Sequence, residues 1–323
     1  MSERFNKSDW MTRLPQLLVF TNLTHFSFKS ESLPRGCDDE HLGALTSLLQ
    51  SSPQLESIIL SIEDLGQTFE TYSPTLILEP LGDQFVFPHL HTFHMLGDAD
   101  PDWFGFVSIP SHPLRAFLAR HTSIRDLAIG FPLEDVSGRE MDPNDLSQIL
   151  PSVKHLAFPS FLLKAVVTSK LASQLESLAI SDPSLYDDDP LGPAAEAMGE
   201  NTLPNLRKLA IWADMGEFEL GAEALVLFFS AAKGLEELEF RTEVQDYGEF
   251  LSALCEAENL RQIKLDEHRI CRVAGWEFTM IELGNVCPRL EVIASTHGKG
   301  AWKIVRGEDR DEPSIIKVDP YSL

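Results

Sequence analysis

The chain has 323 residues, 43% of them hydrophobic and 24% charged, which is enough apolar material for a substantial core and argues against wholesale disorder. Its 26 basic residues stand against 50 acidic ones, a formal charge of −24 that speaks against nucleic acid or anionic membrane as partner. The same charge fits either a plain soluble surface or a protein partner with a basic segment.

Residues 1–22 read as an N-terminal cap, with Trp10, Leu14, Leu17, Leu18 and Phe20 on an amphipathic segment broken by Pro15. The opening MSERFNKSDWMTRL has no cationic stretch followed by an apolar one, so it is not a secretory signal. No run of 18 apolar residues exists to span a membrane. The four cysteines, Cys37, Cys255, Cys271 and Cys287, show no CxxC pair and no disulfide spacing. A cytoplasmic or nuclear protein is expected, in which the sequons at Asn6 and Asn22 carry no meaning.

From residue 23 to 296 a degenerate L-x-x-L-x-L pattern recurs ten times. In chain order it reads Leu23-Phe26-Phe28, Leu55-Ile58-Leu60, Leu90-Phe93-Met95, Ile124-Leu127-Ile129 and Val153-Leu156-Phe158. It continues as Leu175-Leu178-Ile180, Leu206-Leu209-Ile211, Leu235-Leu238-Phe240 and Leu260-Ile263-Leu265, then a failing copy, Leu290-Ile293-Ser295. First positions are 22 to 35 residues apart. The fourth and sixth positions alternate with polar ones, the period of a strand buried on one face. Proline-bearing turns precede many copies: SSPQL at 51–55, FPHL at 87–90, LPSV at 150–153, LPNL at 203–206 and CPRL at 287–290. Proline cannot extend a helix, so each marks a helix-to-strand corner. Helical periodicity lies upstream, at Asp39–Gln50, Pro113–Arg120, Phe161–Leu171, Ala222–Ala232, Tyr247–Ala257 and Glu277–Val286.

One strand and one helix per repeat predict an α/β leucine-rich-repeat solenoid: a curved horseshoe of about ten irregular repeats, parallel strands on the concave face and helices on the convex one. A doubly wound α/β domain also alternates strand and helix, but no strand here is followed by a glycine-rich phosphate turn. The acidic SDPSLYDDDPLGP at 181–193 lies between two repeats and reads as an enlarged loop, so a single structural domain is expected. Residues 297–323 read as C-terminal capping strands, Trp302–Arg306 and Ser314–Val318 around the turn GEDRDEP, so that the chain looks complete at that end.

The repeat turns PQLESIIL at 53–60, LPNLRKLAI at 203–211 and CPRLEVI at 287–293 resemble the repeat region of fungal-type F-box/leucine-rich-repeat proteins, over about residues 14–305. That resemblance implies a substrate receptor of a ubiquitin ligase, whose F-box docks a Skp-type adaptor and cullin while the repeats hold the protein to be ubiquitinated. Leu14-Pro15-Gln16-Leu17-Leu18-Val19-Phe20 echoes the start of an F-box, but the first repeat strand begins at Leu23. No F-box is recognised, and the adaptor role is not carried over.

Motifs for chemistry are weak. His89, His91 and His94 form HxHxxH, yet a strand would send them in different directions, so no metal is expected. Asp98-Ala99-Asp100-Pro101-Asp102 begins like a calcium loop but has Trp103 at the sixth position and Ile109 at the twelfth. Gly298-Lys299-Gly300 is too short for a phosphate loop, and GxSxG, HExxH and GxGxxG are absent. The cysteines read as small buried hydrophobes, and Asp266-Glu267-His268-Arg269 as a solvated mixed-charge loop. No cofactor is expected.

The third, fifth and seventh repeat positions should face the inside of the arc. The fifth places four successive alanines, Ala128, Ala157, Ala179 and Ala210, between His94 and Glu239. Small residues there either permit tight curvature or make a floor on which a partner can settle. Asp126 and His155 flank the floor, and Trp212 is the expected anchor, because tryptophan dominates binding hot spots. Acidic loops follow the strands, with Asp187, Asp188, Asp189 and Asp214 the expected rim for a basic partner segment. The expected function is a non-catalytic protein–protein recognition module, a substrate receptor or scaffold in a ubiquitin-ligase context. The alternative is an enzyme or small-molecule binder using a pocket in the concave face. Partner identity and oligomeric state stay open.

Overall fold

The computed structural model describes residues 2–5, 19–30, 39–62, 72–130, 140–181, 191–198, 201–212, 219–220, 222–241, 243–244, 246–266, 275–297, 300–306 and 313–319. The chain divides into two compact units, 1–159 and 160–323.

In unit 1 the strands are β1 (Ser2–Phe5), β2 (His25–Ser30), β3 (Ser57–Ile62), β4 (Thr92–Gly97), β5 (Asp126–Ile129) and β6 (His155–Pro159). Each pairs in parallel with the next, in sequence order. The helices are α1 (Asp39–Gln50), α2 (Thr75–Leu78), α3 (Trp103–Ser108), α4 (Pro113–Arg120) and α5 (Pro143–Ile149). In unit 2, β7 (Ser177–Ser181), β8 (Lys208–Trp212), β10 (Glu237–Arg241), β12 (Gln262–Leu265) and β13 (Val292–Ser295) form a parallel ladder. The short strands β9 (Glu219–Leu220) and β11 (Glu243–Val244) pair apart from it. Four helices accompany them: α6 (Leu163–Thr168), α7 (Gly192–Met198), α8 (Ala222–Ala231) and α9 (Tyr247–Leu254), followed by α10 (Trp276–Val286). The strands β14 (Ala301–Val305) and β15 (Ser314–Val318) then run antiparallel beyond β13.

The repeat residues make the core. All 30 triplet positions are at most 5% exposed, except Leu23, which is half-buried. They point at the helices: Phe93 of β4 lies 4.8 Å from Phe117 of α4, and Phe240 of β10 lies 5.1 Å from Phe250 of α9. The other strand face is open and carries the alternate residues.

A backbone clamp fixes the register between repeats. The carbonyl of the second repeat residue accepts two amides of the next: Thr24 from Glu56 and Ser57, Glu56 from His91 and Thr92, His91 from Arg125 and Asp126, Arg125 from Lys154 and His155. In unit 2, Glu176, Arg207, Glu236 and Arg261 repeat the pattern. Side chains before the strands reinforce it. Asn205 Nδ2 donates to the Ser173 carbonyl at 2.6 Å, and Asn259 Nδ2 to the Lys233 carbonyl at 2.7 Å.

Three expectations change. The continuous helix over Phe161–Leu171 is a 3-10 turn at Ser160–Leu162, then α6, then a 3-10 turn at Lys170–Ser173. Ser169 is extended there, and its hydroxyl accepts from the Leu171 amide at 3.2 Å, which ends one helix and starts the next turn. The copy at Leu290 does not fail: Ser295 lies in β13 at 2% exposure, its amide donating to the Gly300 carbonyl. Finally, α3 and α5 form where no helix was expected, each begun by an aspartate whose side chain accepts from a helix amide.

Candidate functional site

The open strand faces gather side chains into columns, because parallel register sets equivalent repeat positions side by side. In unit 1, His94 faces Ala128 in register, and Thr92 faces Asp126. The His94 imidazole nonetheless reaches the Asp126 carboxylate, with Nε2 at 2.9 Å from Oδ1. Burial pushes the Asp126 carboxyl up. The hydrogen bond to His94 and the electrostatic influence of His94, His155 and His91 outweigh this and hold it below the ordinary carboxylate range. His155 pairs in register with Asp126, and Ala157 with Ala128. Ala128 is only 5% exposed, so it is not the open floor the sequence suggested.

The HxHxxH histidines diverge. His94 turns to Asp126, His91 lies 3.7 Å from Glu56 on β3's approach, and His89 is exposed. Among the described residues no three His, Cys, Asp or Glu side chains are placed to hold a metal ion.

In unit 2, Ala179 and Ala210 pair in register and are half-buried. Beyond them stands Trp212, opposite Arg241. It is not a bare exposed anchor. Its indole Nε1 donates to Glu239 Oε1 at 3.2 Å, and the Arg241 guanidinium lies 5.4 Å from the ring centroid. Glu239 is the centre of the group. Arg241 Nε donates to Oε1 at 2.6 Å, and Lys264, paired with Glu239 in register, donates to Oε2 at 3.2 Å. Next to it, Lys208 and Glu237 form an ion pair at 2.8 Å.

Reading by residue type singled out Trp212 and missed the residues that orient it. The available signal was the register itself: aligned at the fifth and seventh positions, Glu239, Lys264 and Arg241 become neighbours of complementary charge.

Several aspartates beside the strands have local structural partners. Asp102 Oδ1 accepts from the Gly105 amide at 2.9 Å and caps α3, while Asp100 Oδ1 accepts from the Asp102 amide at 3.0 Å. Asp142 and Asp246 cap α5 and α9 in the same way. These carboxylates complete helix starts, where the helix dipole favours negative charge. Asp187, Asp188, Asp189 and Asp214 lie outside the described residues. Asp266, expected to be solvated, is 7% exposed and lies 3.4 Å from His297. Of the cysteines, Cys287 is buried and Cys255 is exposed, against the expectation that all are core residues; Cys37 and Cys271 lie outside the described residues. Burial pushes the Cys287 thiol up to about 12, which makes it a poor nucleophile.

No protein-family model matches the chain, and no curated protein matches it by sequence. Among solved structures it is similar to the leucine-rich-repeat-containing protein LegL7 from Legionella pneumophila, with a TM-score of 0.51 and 15% identity over 93% of this chain and 92% of that one. A weaker likeness is to the Rad7 and Elc1 complex in yeast, with a TM-score of 0.38 and 16% identity over 90% of this chain and 78% of that one. At such identities the first likeness is one of fold: the chain shares the leucine-rich-repeat architecture of LegL7.

Proposed function

We propose that the chain is a non-catalytic recognition module that holds a protein partner on the open face of its sheets. The observation that carries this reading is the group around Glu239. A tryptophan and an arginine are held in place beforehand, on a rigid strand ladder, by a carboxylate that both touch. Tryptophan and arginine are the side chains that dominate protein interfaces, and holding them in advance lowers the ordering cost of binding.

The test is affinity capture with three proteins: the natural chain, Trp212→Ala, and a helix-side variant, Lys233→Gln. A partner captured by the natural chain and the helix-side variant, and lost from Trp212→Ala, supports the reading. Equal capture by all three sinks it.

The finer reading is a substrate receptor or scaffold in a ubiquitin-ligase context, and its support is the resemblance of the repeat turns at 53–60, 203–211 and 287–293. On that reading, removing the chain from cells lowers ubiquitination of the captured partner, and unchanged ubiquitination counts against it.

A further inference from the structure

The group around Glu239 has a definite charge pattern inside a strongly acidic chain. Two cations, Arg241 and Lys264, and one indole N–H converge on a single carboxylate. Their side chains are 33% and 32% exposed against 22% for Glu239, so the cations reach water more freely than the acid that holds them. The adjacent Lys208 and Glu237 neutralise one another. Small residues stand on both sides in register, Ala210 opposite Glu239 and Ala294 opposite Lys264.

The donor set is that of a carboxylate receptor. A guanidinium offers a planar fork, an ammonium a compact charge, and an indole a neutral N–H. Glu239 demonstrates the fit, because it already occupies the receptor. We propose that this group docks an acidic segment of a protein partner, whose carboxylate replaces that of Glu239 while the side chain of Glu239 turns to solvent. The inference rests on the open-face reading above and adds the chemistry of the partner. The indole face supplies apolar contact for the residue beside the incoming acid. Exchanging one carboxylate for another leaves the cations paired throughout, so entry costs no uncompensated charge. A basic segment would meet Arg241 and Lys264 first. A nucleic acid brings a polyanion against a chain of charge −24, whereas a short acidic segment brings only a few charges.

The experiment incubates the full chain with an array of random decapeptides, then measures the selected peptides in solution. The bound set is enriched in Asp and Glu. A selected acidic peptide binds about tenfold more weakly to the double variant Arg241→Gln/Lys264→Gln, and unchanged to Lys233→Gln. Glu239→Gln keeps the side-chain shape, removes the resident acid, and tightens binding several-fold. Circular dichroism and unfolding midpoints of each variant separate lost binding from lost fold. If the bound peptides are basic and lose affinity in Trp212→Ala, the open-face reading stands and the acidic assignment is overturned. If the peptides are indifferent to every open-face variant, or none is captured, both fall. Weaker acidic binding in Glu239→Gln overturns the exchange.

Discussion

His121 Nε2 accepts the backbone amide of Phe87 at 2.9 Å, while its Nδ1 donates to the Phe117 carbonyl at 2.7 Å. The ring is 2% exposed and lies 4.1 Å from the Phe117 ring centroid. Both nitrogens are thus committed, one as acceptor and one as donor, which is the neutral imidazole. Burial pushes its pKa down, opposed by the Phe117 carbonyl, and Arg120 lowers it further. Buried His112 is lowered too, chiefly by burial, with Asp102 opposing.

Folding therefore favours the unprotonated form of both histidines. As pH falls through about 6.5 the unfolded chain takes up protons that the folded chain refuses. Stability from these residues is fully present above that pH and is lost as pH drops below it. Urea unfolding between pH 8 and pH 5 should show this fall, and His121→Gln should reduce the slope by up to one proton. An unchanged slope in the variant would show that His121 is not the group responsible.

Gly97 ends β4 with a φ of +78°, and a Cβ there would lie 2.0 Å from the Ile62 carbonyl oxygen of the preceding strand. Gly97→Ala should cost about 3 kcal/mol or more, from backbone strain together with displacement of β3. Gly130, one repeat on, would meet the Gly97 carbonyl at 2.9 Å without a left-handed φ, so Gly130→Ala should cost less. Chemical unfolding of the two variants measures the order, and the reverse order would refute the explanation.

Arg306 holds the last turn of α10. Its guanidinium donates to the carbonyls of Gly284 at 3.0 Å, Cys287 at 2.8 Å and Leu290 at 2.7 Å. One fork meets the Gly284 carbonyl at the helix end and the Cys287 and Leu290 carbonyls in the turn beyond it, which lysine cannot reproduce. Arg306→Lys should lose about 1–2 kcal/mol, with faster amide exchange at Leu290–Ile293. Exchange rates equal to those of the natural chain would show the clip to be dispensable.

Asp102 is a helix cap. Asp102→Ala should cost about 1 kcal/mol through loss of the bond from Gly105, while Asp102→Asn should be close to neutral. Adding calcium should leave the unfolding midpoint of the natural chain where it is. A calcium-dependent rise would reverse this assignment.

The strand triplets were legible because burial at the fourth and sixth positions alternates along the chain itself, as Leu209 and Ile211 do around Ala210. The C-terminal strand pair was legible from two β-prone runs on either side of a charged turn. The helix α5 could have been read, since Asp142 followed by Pro143 is a start signal carried by two adjacent residues. The break at Ser169 was harder, because the apolar spacing of Leu163, Val166, Val167 and Leu171 runs straight across it. The group around Glu239 depends on which residues become neighbours across strands 25 and 27 positions apart, so residue type alone points only to Trp212. Likewise Asp100 and Asp102 look like free surface charge until the turn that uses them is in view.

The paired amides on one carbonyl between successive repeats of each unit act as an indexing step. At these joints alignment is set afresh by residues adjacent to the strand, whatever length of chain comes between. Glu176 and Arg207 are 31 positions apart, and Glu236 and Arg261 only 25, yet the two joints are the same. The segments between strands are thereby released from any duty to keep count. They can grow, shrink or change sequence one at a time while the ladder keeps its phase, so the repeats can diversify piecemeal without refolding the whole.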